Sequence, residues 1–325
     1  MDRSWQMGNM DSDSLRVALV QLNCSDNEAA NLDRAEALFG QAVTDGADLI
    51  AFPENMAAIW PGQHSVEAAE QLEGPRVSRI RGWAKRAGRW LLAGSVPIRS
   101  RDPNRIYNTS LLIDSDGELR GVYRKIHLFD VAVGNRQFLE SDRVKAGDEI
   151  VVVPTPWGNL GMTVCYDLRF PELYVELVQR GADIIAVPSA FTYDTGKAHW
   201  STLVRARALD TQCFVLAPNQ VGPHGDGRHS WGSSMIVDPW GTILSERDDG
   251  EGLVATDLDL SLLKRTRERM PIQQHRKARK RLRAPRRPPP QQNRVLSSSN
   301  SSDSTTGSAT VPSAPLSSGS VPTMG

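Results

Sequence analysis

Little in this 325-residue sequence could cross-link or anchor it. Its three cysteines, Cys24, Cys165 and Cys213, stand far apart, and no C-x-x-C pair occurs. That scarcity excludes a disulfide framework and a cysteine-based zinc cluster, and it fits a reducing cytoplasm. No apolar run approaches the ~20 residues a membrane helix needs. The opening MDRSWQMGNMDSDS lacks the apolar core of a signal peptide. Net charge is absent as well, because 38 Lys and Arg balance 38 Asp and Glu. The balance is uneven along the chain. From Arg276 onward nine basic residues meet one acid, Asp303, which leaves 29 bases against 37 acids in residues 1–275. A mildly acidic body argues against a nucleic-acid-binding catalytic surface.

Composition divides the chain into three parts. Residues 1–14 read as a polar, disordered leader and residues 15–275 as one folded unit. Residues 276–325 read as a basic, then Ser/Pro-rich disordered tail whose partner, if any, is unknown. In the folded part, short β-rich runs alternate with helical patterns. Leu15–Leu22 reads as a buried strand, Glu28–Val43 as a helix with an apolar stripe, and Asp48–Phe52 as a strand ended by Pro53. A helix over Val77–Ala87, a strand over Trp90–Val96 and a hairpin turning at Asp114–Gly117 complete the first half. The second half repeats the plan: strands Ile150–Val153 and Leu160–Val164, a helix from Pro171, strand Ile184–Val187 and a helix over His199–Thr211. Strand Phe214–Ala217 and a hairpin through Asp238–Gly241 close it. Strand–helix–strand twice, each time followed by a hairpin, implies an α/β protein with two sheets in one core and helices outside.

Three reactive side chains follow apolar strands, where α/β proteins gather ligands. Glu54 follows DLIAFP, Lys125 follows GVYR, and Cys165 follows LGMTV with a helix beginning about six residues later. Cys165 is the candidate nucleophile, and a helix N-terminus or a nearby cation such as Lys125 would lower its thiol pKa. Alternatively it is buried and inert, as Cys24 and Cys213 are expected to be. Glu54 is the candidate general base and Lys125 the candidate stabiliser of a developing oxyanion.

Three blocks carry a family resemblance: FPEN at Phe52–Asn55, YRKIHLFD at Tyr123–Asp130 and GMTVCYDLRFPELY at Gly161–Tyr174. In order and spacing they resemble the nitrilase superfamily of carbon–nitrogen hydrolases over about residues 15–270. The resemblance implies a four-layer α-β-β-α sandwich, homodimers or higher homo-oligomers, and no metal or organic cofactor. It assigns Glu54 as base, Lys125 as oxyanion stabiliser and Cys165 as nucleophile. Glu140, fifteen residues beyond the lysine, is implied to hold Lys125 in place.

YDLRFPELY, Val187–Trp200, Arg205–Phe214 and Ser234–Leu244 are most similar to the branch of that superfamily that includes deaminated-glutathione amidase. A related branch acts on 2-oxoglutaramate. Both substrates carry carboxylates, so a buried cation is expected to recognise them. Arg169 is the candidate, unless it pairs internally with Glu172, and Tyr166, Phe191 and Thr195 are expected beside the substrate. His127 and His199 fit structural or pocket roles better than metal ligation. Two positions depart from the family pattern: Ser233 stands where a His is common and Asp210 where a Glu is common. The implied reaction is amide hydrolysis through a cysteine thioester with release of ammonia. A nitrilase, an N-carbamoyl hydrolase, another aliphatic amidase and a non-catalytic binding protein remain alternatives.

Overall fold

A computed structural model describes residues 13–133, 136–225 and 227–276; the expected leader and tail lie almost wholly outside the described residues. In chain order the elements are β1 (Ser14–Gln21), α1 (Glu28–Thr44), β2 (Leu49–Ala51), α2 (His64–Glu67), α3 (Pro75–Ala87), β3 (Trp90–Arg99), β4 (Ile106–Ile113) and β5 (Leu119–Arg124). There follow β6 (Asp130–Val133), β7 (Arg136–Leu139), β8 (Val152–Thr155), β9 (Gly158–Met162), α4 (Pro171–Gln179), β10 (Ile184–Ala186), α5 (Tyr193–Thr211) and β11 (Phe214–Ala217). The last are β12 (Val221–Pro223), β13 (His229–Trp231), β14 (Ser234–Val237), β15 (Ile243–Arg247), β16 (Gly252–Asp259), α6 (Ser261–Arg269) and α7 (Ile272–His275).

Two six-stranded sheets run in the orders β16-β1-β2-β3-β4-β5 and β15-β14-β11-β10-β9-β8. Each has three adjacent parallel strands, β1-β2-β3 or β9-β10-β11, extended on both sides by antiparallel ones. The side-chain period of two in a strand explains the layering. On β1, Leu15, Val17 and Leu19 join a core shared with Leu160, Met162, Ile236 and Val237 of the second sheet. The alternate residues Ala18 and Val20 turn instead to Leu32, Ala35 and Phe39 of α1 and Val77, Ile80 and Trp83 of α3. Helices α4 and α5 cover the second sheet through Tyr174, Leu177, Trp200 and Val204. The α-β-β-α sandwich is therefore present.

The structure revises some boundaries. α5 begins at Tyr193, six residues before the expected start. The early turn holds Gly196, where a Cβ would come within 2.2 Å of the Trp231 side chain. The hairpins β6–β7 and β12–β13 and strand β16 carry no sequence expectation. β16 closes the first sheet by pairing antiparallel with β1, Leu15 opposite Leu258.

Candidate active site

Glu54 sits where β2 ends and the chain turns sharply. Asn55 adopts a positive φ of 57°, and its N–H donates to Ser95 Oγ at 2.9 Å. This turn lies so close to β3 that a Cβ on Gly94 would stand 2.0 Å from the Phe52 carbonyl oxygen; only glycine admits that approach. Gln220 ties the turn to the other half of the molecule, its Nε2 donating to the Glu54 carbonyl at 2.9 Å. Lys125 follows β5, and its backbone N–H donates to the Asn108 carbonyl on β4. Cys165 opens a single 3-10 turn, Cys165–Arg169, rather than an α-helix. Its φ of 48° is strained for a residue with a Cβ, and its N–H, donating to the Pro188 carbonyl at 2.9 Å, helps to hold it.

These three turns converge. Lys125 Nζ donates to Glu54 Oε1 at 2.9 Å and to Glu140 Oε1 and Oε2 at 3.1 and 2.9 Å. Asn108 Nδ2 donates to the same two carboxylates, at 2.9 Å to Glu54 and 3.2 Å to Glu140. The Phe129 N–H fixes the far Glu140 oxygen at 2.7 Å. The remaining Glu54 oxygen accepts from the Ala190 N–H at 2.9 Å. Glu54, Lys125 and Cys165 are all buried, and the Cys165 thiol lies near enough to Glu54 and Lys125 for both charges to act on it.

Burial is the largest single influence on Lys125 and opposes its charge, yet Glu140 and Glu54 together outweigh it and hold the ammonium protonated well above its ordinary range. The thiol corrects an expectation. A helix end and Lys125 were expected to lower the Cys165 pKa, but burial and then the Glu54 charge push it well up. Lys125 pulls the other way and loses, because burial and the Glu54 charge each act more strongly. The resting nucleophile is a thiol beside a base, not a preformed thiolate.

One residue binds the blocks to each other. The buried Asp167 carboxylate accepts from Tyr123 Oη at 2.7 Å, the Val164 N–H at 2.9 Å and the His127 N–H at 3.0 Å, and meets His127 Nδ1 at 2.7 Å. His127 in turn stacks on Phe170 with ring centroids 3.6 Å apart. The cysteine turn is thereby fastened to the lysine turn. Sequence reasoning passed over Asp167, Asn108 and Gln220. The first stands in the GMTVCYDLRFPELY block but was given no role, and the other two leave no signal, since their partners lie far away in the chain.

Cys165, Glu54, Lys125 and Glu140 line a cavity of about 500 Å³, together with Tyr166, Phe191 and Thr195. That size suits a small organic molecule. Arg169 lies beside it without lining it: its guanidinium carbon is 5.9 Å from the ring centre of Tyr166 and 5.1 Å from that of Phe191, and Nη1 is 3.3 Å from His199 Nδ1. At the two departures from the family pattern, Ser233 Oγ donates to Glu246 and Asp210 accepts from Arg207. Among the described residues no group of three His, Cys, Asp or Glu could hold a metal ion. None of their helices is long and apolar enough to cross a membrane.

Residues 16–268 match the carbon-nitrogen hydrolase family. The chain belongs to that family. A deaminated glutathione amidase from Yersinia enterocolitica is 43% identical over 263 residues, 80% of this chain and 92% of the relative. An omega-amidase from Xenopus tropicalis is 36% identical, over 81% of this chain and 95% of the relative. Among solved structures, the C. elegans NitFhit protein superposes with a TM-score of 0.78 at 35% identity, covering 82% of this chain and 66% of that one. Family and fold thus agree with what the three motif blocks imply.

Proposed function

We propose that this protein hydrolyses the amide C–N bond of a small carboxylate-bearing amide through a thioester on Cys165, with deaminated glutathione as substrate. One observation carries the reading. The Glu54 carboxylate is bound on one oxygen by Lys125 and on the other by the Ala190 N–H, and its charge acts on the neighbouring Cys165 thiol. Glu54 takes the thiol proton as the sulfur attacks the amide carbonyl. Lys125 and the N–H of Tyr166 hold the oxyanion. The tetrahedral adduct collapses, the C–N bond breaks, and Glu54 returns the proton to the leaving nitrogen. Water, deprotonated by Glu54, then attacks the thioester and frees the acid, and the sulfur recovers a proton. Glu140 keeps Lys125 aimed. Thr195, in the cavity wall, is assigned a polar contact with the substrate, and Arg169, outside the lining, is assigned the positioning of the Tyr166 and Phe191 rings rather than the expected carboxylate contact.

The leaving group depends on the substrate, and the expected ammonia is replaced. Both amides of glutathione are secondary, so its deaminated form releases a peptide amine. The primary amide 2-oxoglutaramate releases ammonia. The substrate reading is supported by the 43% identical relative. The 36% identical omega-amidase favours 2-oxoglutaramate as the second reading. Homo-oligomers belong to the same proposal, and exposed Leu209, Trp240 and Met270 offer apolar surface for them.

The test assays both substrates for amine and for ammonia. Deaminated glutathione is expected to be turned over with the higher kcat/KM, a Cys165-bound acyl group to appear in mass spectra after quenching, and Cys165→Ala to abolish both. Normal turnover by Cys165→Ala overturns the mechanism.

A further inference from the structure

Lys125 has no N–H to spare. Its ammonium carries three, and three carboxylate oxygens take them: Glu54 Oε1 at 2.9 Å, Glu140 Oε1 at 3.1 Å and Glu140 Oε2 at 2.9 Å. An oxyanion is held only by an N–H turned away from one of these. Each of the three oxygens has a second donor. Asn108 Nδ2 reaches Glu54 Oε1 at 2.9 Å and Glu140 Oε1 at 3.2 Å, and the Phe129 N–H reaches Glu140 Oε2 at 2.7 Å.

Asn108 lies on β4 opposite Pro97 of β3, and its carbonyl accepts the Lys125 backbone N–H at 2.9 Å. One residue therefore fixes the lysine through its main chain and shares the lysine's acceptors through its side chain. The arrangement costs stability, because Asn108 is buried and its Oδ1 has no hydrogen-bond partner among the described residues. Turning the amide over would set that oxygen against two carboxylates, so the two acids fix its orientation. A buried orphan acceptor is rare in folded proteins. Here it follows from aiming the amide hydrogens at Glu54 and Glu140.

We propose that Asn108 is a positioning residue, which holds Glu54 in place while an N–H of Lys125 leaves it for the oxyanion. The inference rests on the proposed function and deepens it. As the Cys165 sulfur bonds to the amide carbon, its proton passes to Glu54 and the carbonyl electron pair becomes the oxyanion. Glu54 Oε1 already accepts from two donors and Oε2 from the Ala190 N–H alone, so the proton has room at Oε2. Lys125 then turns from an acid just neutralised to the new negative charge. Asn108 stays on the oxygen that Lys125 leaves and keeps Glu54 aimed to return the proton to the leaving nitrogen.

The test assays the full-length protein, Asn108→Leu and Asn108→Asp with deaminated glutathione and with 2-oxoglutaramate. Leucine keeps the approximate shape of asparagine without its donors. Asn108→Leu is expected to lower kcat on the order of tenfold to hundredfold, with KM within about twofold. Alkylation of Cys165 by iodoacetamide builds no oxyanion, so its rate should stay within about threefold of the unaltered protein's. Asn108→Asp separates donor from shape. Beside two acids its carboxyl keeps a proton to higher pH than usual, and the protonated form still donates. Its kcat at about pH 6 should stand several-fold above that of Asn108→Leu and fall as rising pH removes the proton. Unchanged kcat in Asn108→Leu overturns the proposal, as does a loss confined to KM. Alkylation that falls as far as turnover also overturns it, because the substitution has then disrupted the whole site. Where Asn108→Leu does not fold, the pH profile of Asn108→Asp decides, and a profile parallel to that of the unaltered protein overturns the role. No turnover of either amide by the unaltered protein is a different result, and it removes the proposed substrate class together with the role of Asn108.

Discussion

Two buried thiols in this protein invite comparison. Cys24 and Cys165 both lie beside the turn that carries Glu54, and burial is the largest influence on each, raising the pKa of both. They differ in what they touch. Cys24 Sγ donates to the Met56 carbonyl at 3.3 Å and accepts from Gln220 Nε2 at 3.2 Å, so its hydrogen-bond partners are neutral and neither is a base that could take its proton. Cys165 has the Glu54 carboxylate and Lys125 near enough to act on its charge, and a cavity in front. Reactivity in this fold is therefore supplied by the acceptor and the open space, not by a lowered resting pKa.

Glu54→Gln is the largest test of that contrast, because it makes Cys165 resemble Cys24. The substituted amide cannot accept the thiol proton, and its NH2 must face either the Ala190 N–H or the donors Lys125 and Asn108. kcat is expected to fall on the order of 10²–10⁴. Alkylation of Cys165 by iodoacetamide at pH 7.5 should slow toward the rate seen at Cys24. Unchanged alkylation would mean that the sulfur is activated by something other than the carboxylate.

Lys125→Met sharpens the comparison from the other side, leaving the base but removing the cation. kcat/KM should fall by about 10²–10³, the usual loss of one oxyanion donor. Stability should drop as well, by about 3–5 kcal/mol, since buried Glu54 and partly buried Glu140 would be left with no cation between them. Chemical denaturation separates this loss from the kinetic one.

How much of this site could be read in advance follows from the range of each interaction. The strand ends that present Glu54, Lys125 and Cys165 are local, written in apolar runs stopped by a polar residue, and the two-sheet sandwich followed from strand and helix periods. Asp167 and Ala190 act through partners that only the fold brings near: Asp167 reaches Tyr123 across 44 residues, and the Ala190 N–H reaches Glu54 across 136. The pKa of Cys165 failed for the same reason. A nearby lysine was foreseen, and Glu140 holding it, but not that burial and the Glu54 charge would outweigh it at the sulfur.

The smallest effect concerns Cys24 alone. Its thiol is pushed up to about 12 from an ordinary 9.0, first by burial, while Gln220 and Arg34 work the other way. An unfolded chain releases this proton near pH 9.0, whereas the folded protein keeps it to about 12. The thiol's share of stability is thus complete below pH 9 and is lost as pH rises from 9 toward 12, at about 1.4 kcal/mol per pH unit. Cys213, Cys165 and the buried tyrosines add losses of the same sign, so the comparison must be with a single variant. Between pH 9 and pH 10, Cys24→Ala should lose about 1 kcal/mol less unfolding free energy than the unaltered protein, although it is less stable at both pH values for want of packing. Parallel losses in the two proteins would show that Cys24 titrates normally when folded, and the contrast with Cys165 would then rest on the cavity alone.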